Sequence, residues 1–202
     1  MNAKEKSEIM LGLKLPTDPR WADIASKNIE EILTDHAYCE QKAASNAISV
    51  IVSFGDYSDI VEAMIVLAQE ELQHFQMVHQ KILARGWVLG KERKDEYVNE
   101  LYTFIRKGHK RNIVLVDRLL FGALIEARSC ERFKILSENI QDKELAEFYH
   151  ELMISEANHY TLFLGFARKH AAGIDVDKRW QEFLDFEGKI IEKYGNKESM
   201  HG

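Results

Sequence analysis

Two Glu-x-x-His elements stand in this chain, Glu71-Leu72-Gln73-His74 and Glu156-Ala157-Asn158-His159. On a helix, residues i and i+3 share a face, so each element can present a carboxylate beside an imidazole. One such match says little in a chain with this much Glu and His. The spacing around them says more. Glu40 precedes Glu71 by 31 residues, and Glu126 precedes Glu156 by 30. The pairs Glu40/Glu126, Glu71/Glu156 and His74/His159 are 86, 85 and 85 residues apart. A set of two carboxylates and one imidazole therefore occurs twice. Four carboxylates buried together without a cation would repel one another strongly. Two divalent or trivalent cations would neutralise them. Carboxylate with imidazole, and no thiolate, disfavours structural zinc and suits iron, with manganese as the alternative. The candidate metal ligands are Glu40, Glu71, His74, Glu126, Glu156 and His159, and no further catalytic side chain is assigned. The plain alternative is a bundle with Glu and His on its surface. The neighbours speak against it: Ala43, Ala44 and Ala47 follow Glu40, and Phe121-Gly122-Ala123-Leu124-Ile125 leads into Glu126.

Long helices must position such a set. Asp18-Pro19 reads as a helix start, a capping acid before a first-turn proline. From Trp21 the apolar positions step by three and four through Ile24, Ala25, Ile29, Ile32 and Leu33, and on to Phe54-Gly55. This pattern predicts one helix of about 35 residues. A second runs from about Asp59 to Arg85 and stops at Gly86. A crossover over 87–109 holds a short helix from Asp95 to Lys107. A third long helix spans about Lys110 to Glu138. A fourth runs from Asp142 to about Ala172-Gly173, and a last helix occupies 175–194. Glu40 and Glu71 each lie about 14 residues from the first turn, roughly 20 Å at 1.5 Å per residue. Glu126 and Glu156 stand in the same relation to the turn between the third and fourth helices. The expected fold is all-α: a ferritin-like four-helix bundle with one long crossover and an extra C-terminal helix. A single domain over 1–202, opened by an arm over 1–17, is expected.

Composition agrees. Of 202 residues, 46% are apolar and 30% charged, with only 2 Pro and 11 Gly. That makes turn-rich β architectures and flexible linkers unlikely. The net charge of −6 argues against a general polyanion binder. Cys39 and Cys130 form neither a disulfide framework nor a zinc knuckle and read as small core residues. No apolar run approaches a membrane span, and the first residues lack a signal-peptide core, so a cytoplasmic location is expected. One basic stretch stands out, Arg106-Lys107-Gly108-His109-Lys110-Arg111. It is either a solvated loop or a patch contacting phosphates, with Arg106, Lys107, Lys110 and Arg111 as the RNA-binding candidates. His36, one turn before Glu40, is either a hydrogen-bond donor to that ligand or a satisfied core histidine. Gly122, one turn before Glu126, either eases helix packing or leaves a void for dioxygen or substrate.

The segment Leu124-Ile125-Glu126-Ala127-Arg128-Ser129-Cys130-Glu131-Arg132-Phe133 resembles the tRNA-modifying di-iron hydroxylases that act on 2-methylthio-isopentenyl-adenosine beside the anticodon. The similarity extends to Leu13-Lys14-Leu15-Pro16-Thr17 with Trp21, to Glu40-Gln41-Lys42-Ala43-Ala44, to Glu70-Glu71-Leu72-Gln73-His74-Phe75 and to Met200-His201-Gly202. The family's six ligands fall on the six residues named above. The resemblance implies an oxygen-dependent monooxygenase with two iron ions (Fe2+/Fe3+), dioxygen as co-substrate and the tRNA anticodon loop as partner. The chain has neither a Gly-x-Gly-x-x-Gly nucleotide fingerprint nor an iron–sulfur cysteine set, so an external electron-donating reductase or ferredoxin is expected. No membrane partner is expected, and the assembly is a monomer or small homo-oligomer. Two other readings stand beside this one: a ferritin-like iron-binding or storage protein, and a di-iron or di-manganese oxidase with a small-molecule substrate.

Overall fold

The computed structural model describes residues 10–18, 20–194 and 200. Among them are seven α-helices and no strand: α1 (Arg20–Lys27), α2 (Ile29–Ser53), α3 (Ser58–Ala84), α4 (Glu96–Tyr102), α5 (Arg111–Asn139), α6 (Lys143–Lys169) and α7 (Val176–Tyr194). The chain divides into two compact units. No helix among the described residues is long and apolar enough to cross a membrane.

One unit takes 27–94 and Met200 and is centred on α2 and α3. A four-residue turn joins these helices, so they run antiparallel. Ile60, Met64, Leu67, Glu71, His74, Val78 and Ile82 form one buried stripe along α3. Their steps of three and four are those of a single helix face. Gly86, at φ 76°, closes α3, and the Trp87 amide donates to the Ile82 carbonyl at 3.2 Å. This is the left-handed glycine stop that helices favour. The chain then returns along α2. The Tyr38 hydroxyl donates to the Gly90 carbonyl at 2.9 Å, and Lys42 pairs with Glu92 at 3.1 Å. A Cβ on Gly90 would come within 3.0 Å of Thr34, so glycine permits this close approach.

The other unit takes the described residues up to Ser26 and those from 95 to 194. Its axis is the α5–α6 hairpin. Asp142 caps α6 by accepting from the amides of Glu144 and Leu145 at 3.0 and 3.2 Å. The stripe of α3 recurs on α6, 85 residues on, as Leu145, Tyr149, Leu152, Glu156, His159, Phe163 and Ala167, all buried. Helix α5 is buried on nearly every side from Leu115 to Phe133. It packs against α6, α7, α4 and the short 3-10 turn Met10–Gly12. The fully buried Trp21 of α1 lies under the Arg132 guanidinium at 4.1 Å.

Three expectations change. The first predicted helix is broken at Asn28, whose φ −127° and ψ 44° leave the helical region. Asn favours such breaks, and the Ser26 hydroxyl bonding back to the Ala22 carbonyl at 2.7 Å loosens the turn before it. The crossover helix ends at Tyr102 rather than Lys107. The Thr103 hydroxyl takes the Glu100 carbonyl, and the Arg106 amide donates to Asp117 at 2.9 Å instead of continuing a helix. The fourth long helix ends at Lys169, four residues before Gly173 at φ 88°. Pro19 and residues 1–9 of the expected arm lie outside the described residues.

Asp117 organises the end of this crossover. Its buried carboxylate also accepts from the Arg106 guanidinium at 3.0 and 2.7 Å and from Arg179 at 3.0 and 2.8 Å. Burial alone would raise its pKa, but the hydrogen bonds from Arg106 and Arg179 hold it below the ordinary 3.8. A depressed folded-state pKa gives stability that is present above the unfolded value and lost as pH falls through the folded one. Asp117→Asn should therefore destabilise the protein at neutral pH by about 3 kcal/mol. In urea titrations the gap to the wild type should narrow as pH falls below the ordinary carboxylate range. A gap independent of pH would show that the charge of Asp117 is not what matters.

Candidate metal centre

In the α2–α3 unit, ligand atoms of Glu40, Glu71 and His74 all lie within 4.8 Å of one another. All three residues are buried. His74 Nδ1 stands 3.5 Å from Glu71 Oε2 and 3.7 Å from Glu40 Oε2. The fully buried His36 reaches Glu40 Oε1 with its Nε2 at 2.6 Å. Burial would raise the Glu40 pKa, yet the hydrogen bond from His36 and the nearby His74 imidazole hold its carboxyl well below the usual range. Burial would likewise lower the His74 pKa, but Glu40 and Glu71 push it up to about 10. The cluster thus favours positive charge strongly enough to keep a buried imidazole protonated. A metal cation among these atoms would replace that proton.

In the α5–α6 unit, ligand atoms of Glu126 and His159 lie within 4.8 Å of each other. Glu156 is buried on the same α6 stripe, one turn before His159. Both sets combine hard anionic oxygens with imidazole nitrogen, away from water. That donor chemistry fits iron or manganese. All six candidate residues are buried, three on each hairpin.

The residues near these sets are also placed. Gly122 eases packing: a Cβ there would stand 2.8 Å from Cε1 and Cζ of Phe163, so the Phe163 ring occupies the space. Cys130 is a core thiol whose Sγ donates to the Met153 carbonyl at 3.3 Å. Burial, with Glu126 and Glu131 nearby, pushes its pKa up to about 11, so it stays neutral. Cys39 is half-buried, and neither cysteine is in a disulfide.

The basic stretch divides. Arg106 is committed to Asp117, whereas Lys107, Lys110 and Arg111 are exposed where α5 begins. The first turn of α5 holds no acidic residue.

Sequence reasoning missed a charged network on α5. Arg128, fully buried, donates to Glu187 at 2.8 Å, to Glu131 at 2.5 Å and to the Leu15 carbonyl at 3.0 Å. Glu131 accepts from the amide and hydroxyl of Thr17 at 2.8 and 2.6 Å. Tyr97 of α4 donates to Glu187 at 3.1 Å. The available signal was the alternation of charge along Glu126, Arg128, Glu131 and Arg132 in the middle of a long helix.

Comparisons with known proteins give the family. A family model described as tRNA-(MS[2]IO[6]A)-hydroxylase (MiaE) matches residues 4–202. The chain belongs to this family. A Pseudomonas putida protein described as a tRNA 2-(methylsulfanyl)-N(6)-isopentenyladenosine(37) hydroxylase is 40% identical over 169 residues, covering 84% of this chain and 81% of its own length. A Salmonella typhimurium protein of the same description is 28% identical over 234 residues, covering 92% and 85%. Among solved structures, a Synechococcus protein described as having aldehyde deformylating oxygenase activity matches with a TM-score of 0.87 and 34% identity. That match covers 94% of this chain and 95% of that one. The fold class is all-α and ferritin-like, as expected from the sequence. Like its family, the chain is a tRNA-hydroxylating enzyme.

Proposed function

We propose that this chain hydroxylates the isopentenyl group of 2-methylthio-isopentenyl-adenosine next to the tRNA anticodon, using dioxygen. The observation that carries this reading is that a member of this family buries two glutamates and a histidine of the expected pattern on each long hairpin. Glu40, Glu71, His74, Glu126, Glu156 and His159 are the proposed ligands of two iron ions, which when bound supply reductive activation of dioxygen. The protein's own part is physical. The carboxylates fix the charge of the site, and the buried stripes of α3 and α6 keep bulk water away. The Phe163 ring, against Gly122, seals the turn before Glu126. The target adenosine lies in a single-stranded loop, so little stacking is lost when it is presented. Electrons come from an external reductase or ferredoxin. Location is cytoplasmic and the assembly a monomer or small homo-oligomer.

Lys107, Lys110 and Arg111 are the proposed phosphate contacts, with Arg106 bracing the loop through Asp117 rather than reaching for RNA. The test is mass spectrometry of tRNA nucleosides after incubation with the protein, ferrous iron, dioxygen and a reducing system. A gain of one oxygen on the isopentenyl nucleoside supports the reading. An unmodified nucleoside under conditions where the protein deformylates an aldehyde would favour the small-molecule alternative, which the Synechococcus likeness makes worth including. Lys107→Ala with Lys110→Ala should weaken tRNA binding and flatten its salt dependence by about one unit of slope per lost contact. Unchanged affinity across salt concentrations would move the RNA contact elsewhere.

A further inference from the structure

The repeat that places the candidate ligands breaks one turn before the first ligand of each half. Four residues before Glu40 stands His36, and four before Glu126 stands Gly122. The two positions are 86 residues apart, as their glutamates are, so they correspond. Their surroundings are opposite in kind. His36 is fully buried and holds Glu40 Oε1 at 2.6 Å. An ionised carboxylate only accepts, so His36 Nε2 is the donor. The pair lies i, i+4 on α2, so helical register itself sets the contact. The other oxygen, Oε2, is the one facing His74, 3.7 Å from its Nδ1. At Gly122 there is no side chain to donate, and the apolar ring of Phe163 fills the place.

We propose that His36 is a positioning residue that ties down one oxygen of Glu40 and leaves the other for a metal ion, while the corresponding position before Glu126, Gly122, offers no side chain to do the same. The two metal positions are then inequivalent, and the residues at 36 and 122 make them so. This rests on the two-metal reading above. A side chain with two rotatable bonds, fully buried, locks a carboxylate with three; a charge-assisted hydrogen bond of this length is among the stronger kind. Partners that orient metal ligands typically change metal affinity 10–100-fold when removed. A histidine that merely filled the core would be replaceable by an apolar residue without effect on metal.

The experiment is a cobalt(II) titration of the full chain, followed by calorimetry and by the visible absorption of the bound ion. The wild type should take up two cobalt ions with distinct affinities. His36→Leu should weaken one of them by about 10–100-fold and alter its absorption band while leaving the other ion unchanged. His36→Gln, whose amide can donate from a similar position, should recover most of that loss. His36→Leu with both affinities and both bands of the wild type would overturn the proposal. Should His36→Leu fail to fold, His36→Gln against the similarly shaped His36→Met makes the same comparison, and equal cobalt affinities in that pair overturn it. A wild type that binds no cobalt, iron or manganese defeats the two-metal reading itself and the His36 assignment with it.

Discussion

Glu126→Ala should lose at least one of two bound metal ions and all measurable tRNA hydroxylation, while its helical content stays that of the wild type. The site explains the size of the effect. Glu126 is buried on α5, with a ligand atom within 4.8 Å of one from His159. The position one turn earlier, Gly122 backed by Phe163, offers no side chain in its place. Removing an anionic ligand weakens the ion directly, and an iron site lacking a ligand loses the geometry on which oxygen chemistry depends. Folding should suffer little. Taking one of several carboxylates out of a metal-free interior relieves repulsion, which offsets the small cavity left behind. Elemental analysis and nucleoside mass spectrometry on the same preparation check both halves of the expectation. Full metal content with full turnover would remove Glu126 from the ligand set and undo the repeat argument that placed the other five.

The second large effect is on stability and lies away from the candidate ligands. Arg128→Ala should cost about 3–5 kcal/mol of unfolding free energy in urea titration. Arg128 pairs with both Glu131 and Glu187, at 2.5 and 2.7 Å, and all three are buried. Truncating it leaves two carboxylates facing each other's field in an apolar interior, and it frees the Leu15 carbonyl that tethers the arm. Burial already pushes the Glu187 pKa up, with Arg128 as the group opposing that shift. Against a typical total of 5–15 kcal/mol the loss is large. The arm should also become easier to cut, so limited proteolysis ahead of Trp21 should accelerate. The control is Arg128→Met combined with Glu131→Gln and Glu187→Leu. It removes the charges together and should recover much of the loss, because a buried pair is weak evidence of stabilisation until one partner is taken away. A single Arg128→Ala with wild-type stability would mean that water already solvates this network.

Arg128 and Glu126 also show what was legible in the sequence. The six candidate ligands could be read from residue types and spacing alone. Helical periodicity is local, and a repeated Glu, Glu, His register survives in the linear order of the chain. The four long helices, the crossover and the C-terminal helix followed for the same reason. Family resemblance added the substrate class, which no spacing rule contains. Other features depended on groups distant in sequence. Whether Arg106 was an RNA contact or a brace turned on Asp117, eleven residues on, and on Arg179, more than 70 residues away. Whether Gly122 was a void or a packing site turned on Phe163, on a different helix. The break at Asn28 came from a local conformation that the apolar pattern passes straight through, since residues on both sides keep the same spacing. Arg128 reads in sequence as one more charge on a helix. Only tertiary packing buried it against Glu131, Glu187 and the arm, where desolvation turns ordinary surface charges into a network that must be complete. Spacing along a helix is written in the chain; which distant side chain completes a buried polar group is decided when the helices pack.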